Sequence, residues 1–120
     1  MMGNKMCHNK TAIFVYISPE IHETPILNEV LWGIEEEEVP YNVETIDKKE
    51  ATELGYQAAI ASPLGVGVGF GEDGYIALHS SNLKQDEPLL KFSFKEETHK
   101  VRALGANAAR LVKGIPFKEL

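Results

Sequence analysis

The sequence contains a single cysteine, Cys7, which excludes an internal disulfide framework and a cysteine-rich zinc module. Its longest apolar run, residues 12–17, is far shorter than the about 20 residues that a transmembrane helix requires. The first ten residues are polar and lack the apolar core of an export signal, so we expect a cytoplasmic protein without a membrane segment. Basic residues are also few. The 12 Lys and Arg residues against 18 Asp and Glu give a net charge of −6, which disfavours nucleic acid as a partner.

The chain length of 120 residues is that of one domain, and 43% hydrophobic and 25% charged residues are typical of a globular protein. We interpret the polar segment 1–10 as a flexible N-terminal arm and residues 11–120 as a single α/β domain. Charge is unevenly distributed along the chain. Residues 20–53 contain eleven acidic residues and two lysines, whereas residues 99–120 contain five basic residues and one glutamate. Such a charge asymmetry says more about binding partners than about the fold.

Hydrophobic periodicity predicts five strands and three helices. Apolar runs or alternating patterns typical of strands occupy residues 11–18, 41–46, 64–70, 75–79 and 89–94. Apolar residues at helical spacing, bounded by capping, proline and glycine signals, predict helices over residues 24–38, 47–62 and 98–114. Asp47 and Glu50 have the spacing of a capping box at the start of the second helix.

The predicted elements follow the order βαβαβββα. Strand–helix–strand units require parallel strands joined by right-handed crossovers. The Asp-Gly turn signal at residues 73 and 74 inserts one antiparallel strand. The sequence therefore predicts a three-layer α/β/α sandwich around a mixed five-stranded sheet with one antiparallel strand.

Alternating glycines, Gly65, Gly67, Gly69 and Gly71, resemble a nucleotide-binding loop only superficially. The dinucleotide fingerprint requires a further glycine three positions after the second and a helix behind it, and here a hairpin follows. The Lys-Ser/Thr pair of a Walker loop is also missing. We therefore interpret these glycines as strand positions where a helix or a partner backbone approaches closely.

The histidines carry no metal-binding pattern. His8, His22, His79 and His99 include no pair at i, i+4 spacing, which predicts surface or loop positions rather than a metal site. No serine or cysteine lies in a fixed motif of nucleophilic catalysis. We therefore expect no catalytic residue and no cofactor bound by this chain alone.

The most unusual local feature is a run of four glutamates, residues 35–38, at the end of the first predicted helix. The helix dipole favours cations there, so helix stability does not explain the run. Glu29, Trp32 and Glu36 share an outward face at helical spacing, and an outward tryptophan is typical of a contact surface. Two other interpretations stay open: a hard oxygen ligand for a divalent cation, and an acidic helix end in solvent.

Three segments resemble the small subunit of diol/glycerol dehydratase reactivating factors: residues 33–40 (GIEEEEVP), 62–67 (SPLGVG) and 107–117 (NAARLVKGIPF). The resemblance extends in order from the first strand to Phe117. It implies a fold like that of the dehydratase medium subunit, a mixed five-stranded sandwich related to anticodon-binding domains. One departure is Glu38, where relatives often carry a glycine.

The resemblance implies a chaperone-like subunit without catalytic residues. Adenosylcobalamin-dependent dehydratases inactivate when the cofactor loses its adenosyl group and stays bound. In this family a large actin-like subunit binds and hydrolyses ATP, and the small subunit exchanges with the dehydratase medium subunit so that damaged cobalamin is released. The implied partners are the large subunit and, transiently, the dehydratase. The implied location is the cytoplasm, or within it a bacterial microcompartment.

The resemblance also implies a metal site at the interface with the large subunit, which itself holds ATP or ADP. A glutamate of the small subunit contributes to this site for Mg²⁺ or Ca²⁺. By its position in the Gly-Ile-Glu-Glu-Glu motif this residue is Glu36, and the extra glutamate leaves Glu37 as the alternative. The expected partner interface comprises Glu29, Trp32, Glu36 and Glu37.

Three alternatives are compatible with the predicted fold. The chain could be a medium-subunit-like component of the dehydratase itself, although it lacks the N-terminal extension of such subunits. It could be a flavodoxin-like small-molecule binder, against which the missing phosphate loop argues. A tRNA-anticodon-type binding domain has a similar architecture and is disfavoured by the net charge of −6.

Overall fold

The computed structural model describes residues 11–21 and 24–120 of the chain. The predicted arm over residues 1–10, with Cys7 and His8, lies outside the described residues, as does His22. Over the described part the elements follow the predicted order. They are β1 (Ile13–Ile17), α1 (Thr24–Glu36), β2 (Tyr41–Thr45), α2 (Ala51–Ala61), β3 (Val66–Phe70), β4 (Tyr75–Ser80), β5 (Leu90–Ser93) and α3 (Thr98–Lys113). None of the described helices is long and apolar enough to cross a membrane.

The strands form one mixed sheet in the order β2-β1-β3-β4-β5. Strand β1 pairs in parallel with both β2 and β3, and its Val15 lies opposite Val43 and Val68. Strand β4 pairs antiparallel with β3 on one side and with β5 on the other. The predicted sheet with one antiparallel strand is confirmed, and β4 is that strand.

Side-chain alternation along β1 divides the core into two layers. Ile13 and Val15 point into the larger cluster, which contains Val30 and Ile34 of α1 and Leu104 of α3. Phe14 and Tyr16 point to the opposite face and pack with Leu54 and Ala58 of α2. Helices α1 and α3 therefore cover one face of the sheet and α2 covers the other, which confirms the three-layer sandwich.

Gly67 and Gly69 lie on the face of β3 that α2 covers. A Cβ atom at Gly67 would meet the backbone of Ala58 and Ala59, and one at Gly69 would meet the backbone of Ala51 and Gly55. The interpretation as positions of close helix approach is confirmed for Gly67 and Gly69, because only a residue without Cβ fits so near a helix backbone. It is wrong for Gly65, which precedes β3 with φ 72° and lies against the Ser81 side chain, and Gly71 follows the end of β3.

Helices α1 and α3 cross through a second pair of glycines. A Cβ atom at Gly33 of α1 would meet the carbonyl of Arg102, and one at Gly105 of α3 would meet the carbonyl of Val30. The two backbones therefore touch at the crossing. This contact sets the acidic end of α1 beside basic residues of α3.

Helix ends differ from the sequence prediction at two places. Helix α1 ends at Glu36, two residues before the predicted end, and Glu38 has φ 63° in the left-handed region. The capping box of Asp47 and Glu50 is wrong, because α2 begins only at Ala51 and Glu50 makes no side-chain cap hydrogen bond. The N–H of Ala51 instead donates to the carboxylate of Asp73, 3.3 and 3.4 Å from its two oxygens.

The prediction of a surface or loop position is wrong for His79, which is fully buried in β4. The N–H of Ser80 donates to Nδ1 at 3.0 Å, and Nε2 lies 3.0 Å from the carbonyl of Gln85. Backbone groups thus satisfy both ring nitrogens, so the ring can be buried. The ring of Tyr56 on α2 packs edge-on at 5.1 Å. His99 is exposed, as predicted.

Candidate partner-binding surface

The outward face of α1 contains Glu29, Trp32 and Glu36, which lie three and four residues apart on the helix. The Trp32 side chain is 46% exposed although it is large and apolar. Its neighbours on the other side of the helix, Val30 and Ile34, are fully buried. The helical spacing therefore predicts the outward face correctly. We call Glu29, Trp32 and Glu36, together with Arg102 described next, the Trp32 face.

Arg102 of α3 lies at the centre of this face. Its Nε and Nη2 atoms each donate to Glu29 Oε1 at 2.8 Å, and its Nη1 lies 3.4 Å from Glu36 Oε2. The guanidinium carbon stands 5.3 Å from the centroid of the Trp32 ring, within cation–π range. Arg102 is absent from the residues that the sequence predicts for this surface, because only the crossing of α1 over α3 places it there.

Glu37 points away from the Trp32 face. Its carboxylate accepts from Arg110 Nε at 3.1 Å and from Lys113 Nζ at 3.1 Å, and Lys113 also donates to the Glu37 carbonyl at 2.8 Å. The Lys113 hydrogen bond, with that of Arg110, lowers the pKa of the Glu37 carboxyl against the opposing effect of burial. The side chain is only 14% exposed. In this structure Glu37 joins α1 to the C-terminal end of α3.

The other two glutamates of the run have different surroundings again. Glu35 Oε2 accepts a hydrogen bond from the Tyr41 hydroxyl at 2.8 Å. Burial, and then this carboxylate, raises the pKa of Tyr41 well above its ordinary value. Glu38 is exposed. The four consecutive carboxylates therefore diverge to four environments, and Glu36 is the one that stays on the Trp32 face.

Glu36 is the carboxylate of this face that is available to a further ligand. Its side chain is 43% exposed, against 19% for Glu29, and its ion pair with Arg102 is long at 3.4 Å. Among the described residues no group of three or more His, Cys, Asp or Glu side chains could hold a metal ion. Glu36 can therefore supply one oxygen ligand, and a metal there would need its other ligands from outside the described residues.

An open groove of about 700 Å³ runs beside these residues. Its walls include Glu29, Glu36 and Arg102 from the crossing helices, and Lys118 and Glu119 from the C-terminal segment. Both signs of charge line it, so it suits a polar protein surface better than an apolar small molecule.

The carboxyl ends of β1 and β3 are where doubly wound folds bind phosphates. Here Ser18 Oγ donates to Glu72 Oε2 at 2.5 Å, and the Asp73 carboxylate accepts from the first N–H of α2. Two carboxylates of this chain therefore lie where a nucleotide phosphate would approach. Their charge repels phosphate, which argues against the flavodoxin-like alternative.

The chain is similar to proteins of a known family. The family model described as dehydratase medium subunit matches residues 10–118. A propanediol dehydratase-reactivating factor small subunit from Citrobacter freundii is 38% identical over 96 residues, covering 80% of this chain and 82% of the relative.

Two solved structures have the same fold. A glycerol dehydratase reactivase chain superposes with a TM-score of 0.86 at 38% identity, covering 90% of this chain and 96% of its own. A chain from the structure of diol dehydratase-reactivating factor complexed with ADP and Mg²⁺ gives a TM-score of 0.82 at 35% identity, covering 90% and 97%. The chain therefore belongs to the dehydratase medium-subunit family, in the group formed by the small subunits of diol and glycerol dehydratase-reactivating factors.

Proposed function

We propose that this chain is the non-catalytic small subunit of a cytoplasmic, ATP-dependent reactivating factor for an adenosylcobalamin-dependent diol or glycerol dehydratase. It assembles with a large actin-like subunit that binds and hydrolyses ATP. It exchanges with the medium subunit of the inactive enzyme, so that damaged cobalamin leaves. One observation carries the proposal: a chain similar to reactivating-factor small subunits matches the family model of the dehydratase medium subunit itself. A shared fold is what an exchange of subunits requires.

The Trp32 face supports the contact with the large subunit. An exposed tryptophan beside an arginine and two carboxylates has the composition of an interface centre, where Trp and Arg are enriched. Ion pairs within the chain hold these side chains in place before any partner arrives, which lowers the entropy lost on binding. The charges would govern partner choice and association rate more than affinity.

Glu36 would contribute a carboxylate oxygen to a divalent cation shared with the large subunit. Mg²⁺ and Ca²⁺ prefer such hard oxygen ligands, and Mg²⁺ is commonly bound through one or two carboxylates. The side chain fits this role because it is 43% exposed and its ion pair with Arg102 is long at 3.4 Å. The cation would neutralise carboxylates that meet across the interface. Arg102 would hold the Glu29 carboxylate through its two 2.8 Å contacts, so that the more loosely held Glu36 carboxylate can bind the cation.

Complex formation tests the proposal. The chain and its Glu36→Gln variant are titrated into the purified large subunit of a diol dehydratase-reactivating factor, with Mg²⁺ and with EDTA. In Mg²⁺ we expect the variant to bind about tenfold more weakly and its complex to hold less metal, since one carboxylate ligand is lost. With EDTA the two should bind alike. Glu87→Gln, which alters an exposed glutamate between β4 and β5, is the matched control and should behave as wild type.

Equal affinity and equal metal content of Glu36→Gln and wild type in Mg²⁺ would contradict the metal role. Absence of any complex with the large subunit would contradict the proposed function.

The match to the medium-subunit family favours a second candidate, a structural component of the dehydratase itself. It predicts a stable complex with the dehydratase large subunit and none with an actin-like ATPase. A pull-down against each of these two proteins separates the candidates.

A further inference from the structure

The last six residues form a strap that folds back along α3; we call residues 115–120 the C-terminal strap. Helix α3 ends at Lys113 and is capped by Gly114, whose φ of 70° lies in the left-handed region. The N–H of Ile115 donates to the carbonyl of Arg110 at 3.2 Å, which closes the last helical turn. The chain then reverses, so that Lys118 lies beside Asn107, eleven residues earlier.

Asn107 fixes the backbone of this strap. Its side-chain oxygen accepts the N–H of Lys118 at 2.6 Å, and its amide nitrogen donates to the carbonyl of Lys118 at 3.2 Å. The residue is fully buried. Burying a side-chain amide costs free energy unless its donors and acceptor form hydrogen bonds. Here the amide oxygen and the amide nitrogen of Asn107 both bond to the backbone of Lys118. Asn107 therefore holds the strap through its backbone and leaves the strap's side chains uninvolved.

The strap's apolar side chains face solvent. Ile115, Phe117 and Leu120 are 41%, 42% and 46% exposed. Single exposed apolar residues need no explanation, but three within a six-residue segment whose backbone is clamped form a prepared contact surface. A clamped backbone also reduces the entropy that a partner must overcome to bind these side chains.

The strap continues the Trp32 face. Lys118 and Glu119 line the same groove as Glu29, Glu36 and Arg102. Arg110 also links the strap to the residue that follows α1, because its Nε donates to Glu37 and its Nη1 donates to the carbonyl of Pro116 at 3.2 Å. The acidic end of α1 and the strap therefore lie side by side as one surface.

We propose that the C-terminal strap is part of the surface that binds the large subunit of the reactivating factor. Ile115 and Phe117 would occupy an apolar recess of that subunit, next to the contact made by Glu36. Asn107 is the positioning residue, which acts through the strap. This inference rests on the proposed function, and continuity with the Trp32 face selects the large subunit as the occupant.

Three matched substitutions test the strap. Full-length Ile115→Ser, Phe117→Ser and Ile60→Ser are titrated by calorimetry into the purified large subunit of a diol dehydratase-reactivating factor. We expect the two strap variants each to bind about tenfold more weakly, as for apolar contacts near the centre of an interface. Ile60 is 54% exposed on α2, across the sheet from α1 and α3, so Ile60→Ser should bind as wild type.

Asn107→Ala tests the positioning role by amide hydrogen exchange. In wild type the N–H of Lys118 should exchange slowly, and in Asn107→Ala it should exchange at the rate of an open chain, with binding weakened as in Phe117→Ser. Slow exchange that survives in a folded Asn107→Ala would overturn the positioning role. If that variant fails to fold, the two strap variants still decide the proposal.

The outcomes separate the inference from the proposed function. If both strap variants bind the large subunit with wild-type affinity, the strap's role is overturned and the proposed function stands. The same holds if Ile60→Ser weakens binding to the large subunit as much as the strap variants do. Self-association of the chain that Ile115→Ser abolishes, without an effect on the large subunit, would assign the strap to a second copy and overturn the proposal. If wild type does not bind the large subunit, both proposals fail.

Discussion

The consecutive glutamates at residues 35–38 differ in the groups that surround each side chain. Glu35 accepts from Tyr41, Glu36 faces Arg102, and Glu37 accepts from two cations of α3. The divergence arises because α1 ends at Glu36, so Glu37 and Glu38 leave the helical path. We therefore expect Glu36 to serve the proposed partner contact and Glu37 to serve stability.

Glu37→Gln should destabilise the protein in a pH-dependent way. Arg110 and Lys113 lower the pKa of Glu37 below its ordinary value of 4.5 in the folded state. Its contribution is therefore fully present above that value and is lost as the pH falls through the lower folded-state pKa. We expect a loss of about 1 kcal/mol in the free energy of unfolding at pH 7, which shrinks as the pH falls below about 4.

Urea denaturation of both proteins at pH 7 and at pH 3 measures this difference. Glu87→Gln, at an exposed site, should match wild type at both pH values. A loss for Glu37→Gln that is the same at pH 7 and pH 3 would contradict the assignment of the ion pairs.

Among the secondary-structure elements, α2 has a start that is determined by a distant turn, the hairpin between β3 and β4. The Asp73 carboxylate, 22 residues away in the chain, accepts the N–H of Ala51 and places a negative charge at the positive end of the helix dipole. The local alternative, Asp47, is exposed and precedes the helix by four residues. The hairpin between β3 and β4 thus performs the capping that the sequence assigns to Asp47.

Asp73→Ala should lower the free energy of unfolding by about 1 kcal/mol, as for the loss of a helix N-cap. Asp73→Asn should have a smaller effect, because its amide oxygen still accepts but carries no charge. Asp47→Ala should change stability by less than about 0.5 kcal/mol, as expected of an exposed residue. Thermal or urea denaturation checks the series. A larger loss in the free energy of unfolding for Asp47→Ala than for Asp73→Ala would contradict the cap from Asp73 and support the local capping box.

Features set by short-range periodicity could be predicted from the sequence, and features set by distant contacts could not. The five strands, the three helices and the single antiparallel strand follow from apolar spacing and one turn signal. The cap from Asp73 and the burial of His79 depend on residues that meet only in the folded chain. Neither leaves a local pattern, because a histidine satisfied by backbone carbonyl and amide groups can occupy an apolar strand.

The candidate surface divides in the same way. The outward face with Glu29, Trp32 and Glu36 follows from the helical spacing of α1. Arg102 at its centre and the Asn107–Lys118 clamp depend on how α3 packs and where its C-terminal segment returns. The sequence segment 107–117 stands out by resemblance alone, and the structure gives it a physical explanation in the clamp and in the Arg110 contacts.

In the whole molecule, the unevenly distributed charges of the chain form ion pairs between α1 and α3. Gly33 and Gly105 let α1 and α3 cross in contact, so the acidic end of α1 meets basic residues of α3. Arg102, Arg110 and Lys113 then pair with Glu29, Glu36 and Glu37. Much of the local charge is therefore balanced within the chain.

The proposed function requires that this chain restores an inactive dehydratase by standing in for its medium subunit. The most direct measurement is the recovery of activity of an inactivated adenosylcobalamin-dependent diol dehydratase. It is incubated with fresh adenosylcobalamin, ATP, Mg²⁺ and the large subunit of a diol dehydratase-reactivating factor, with and without this chain. The small subunit of that factor serves as the positive control. We predict recovery only when this chain or the control subunit is present. Recovery with the control subunit and none with this chain would contradict the claim.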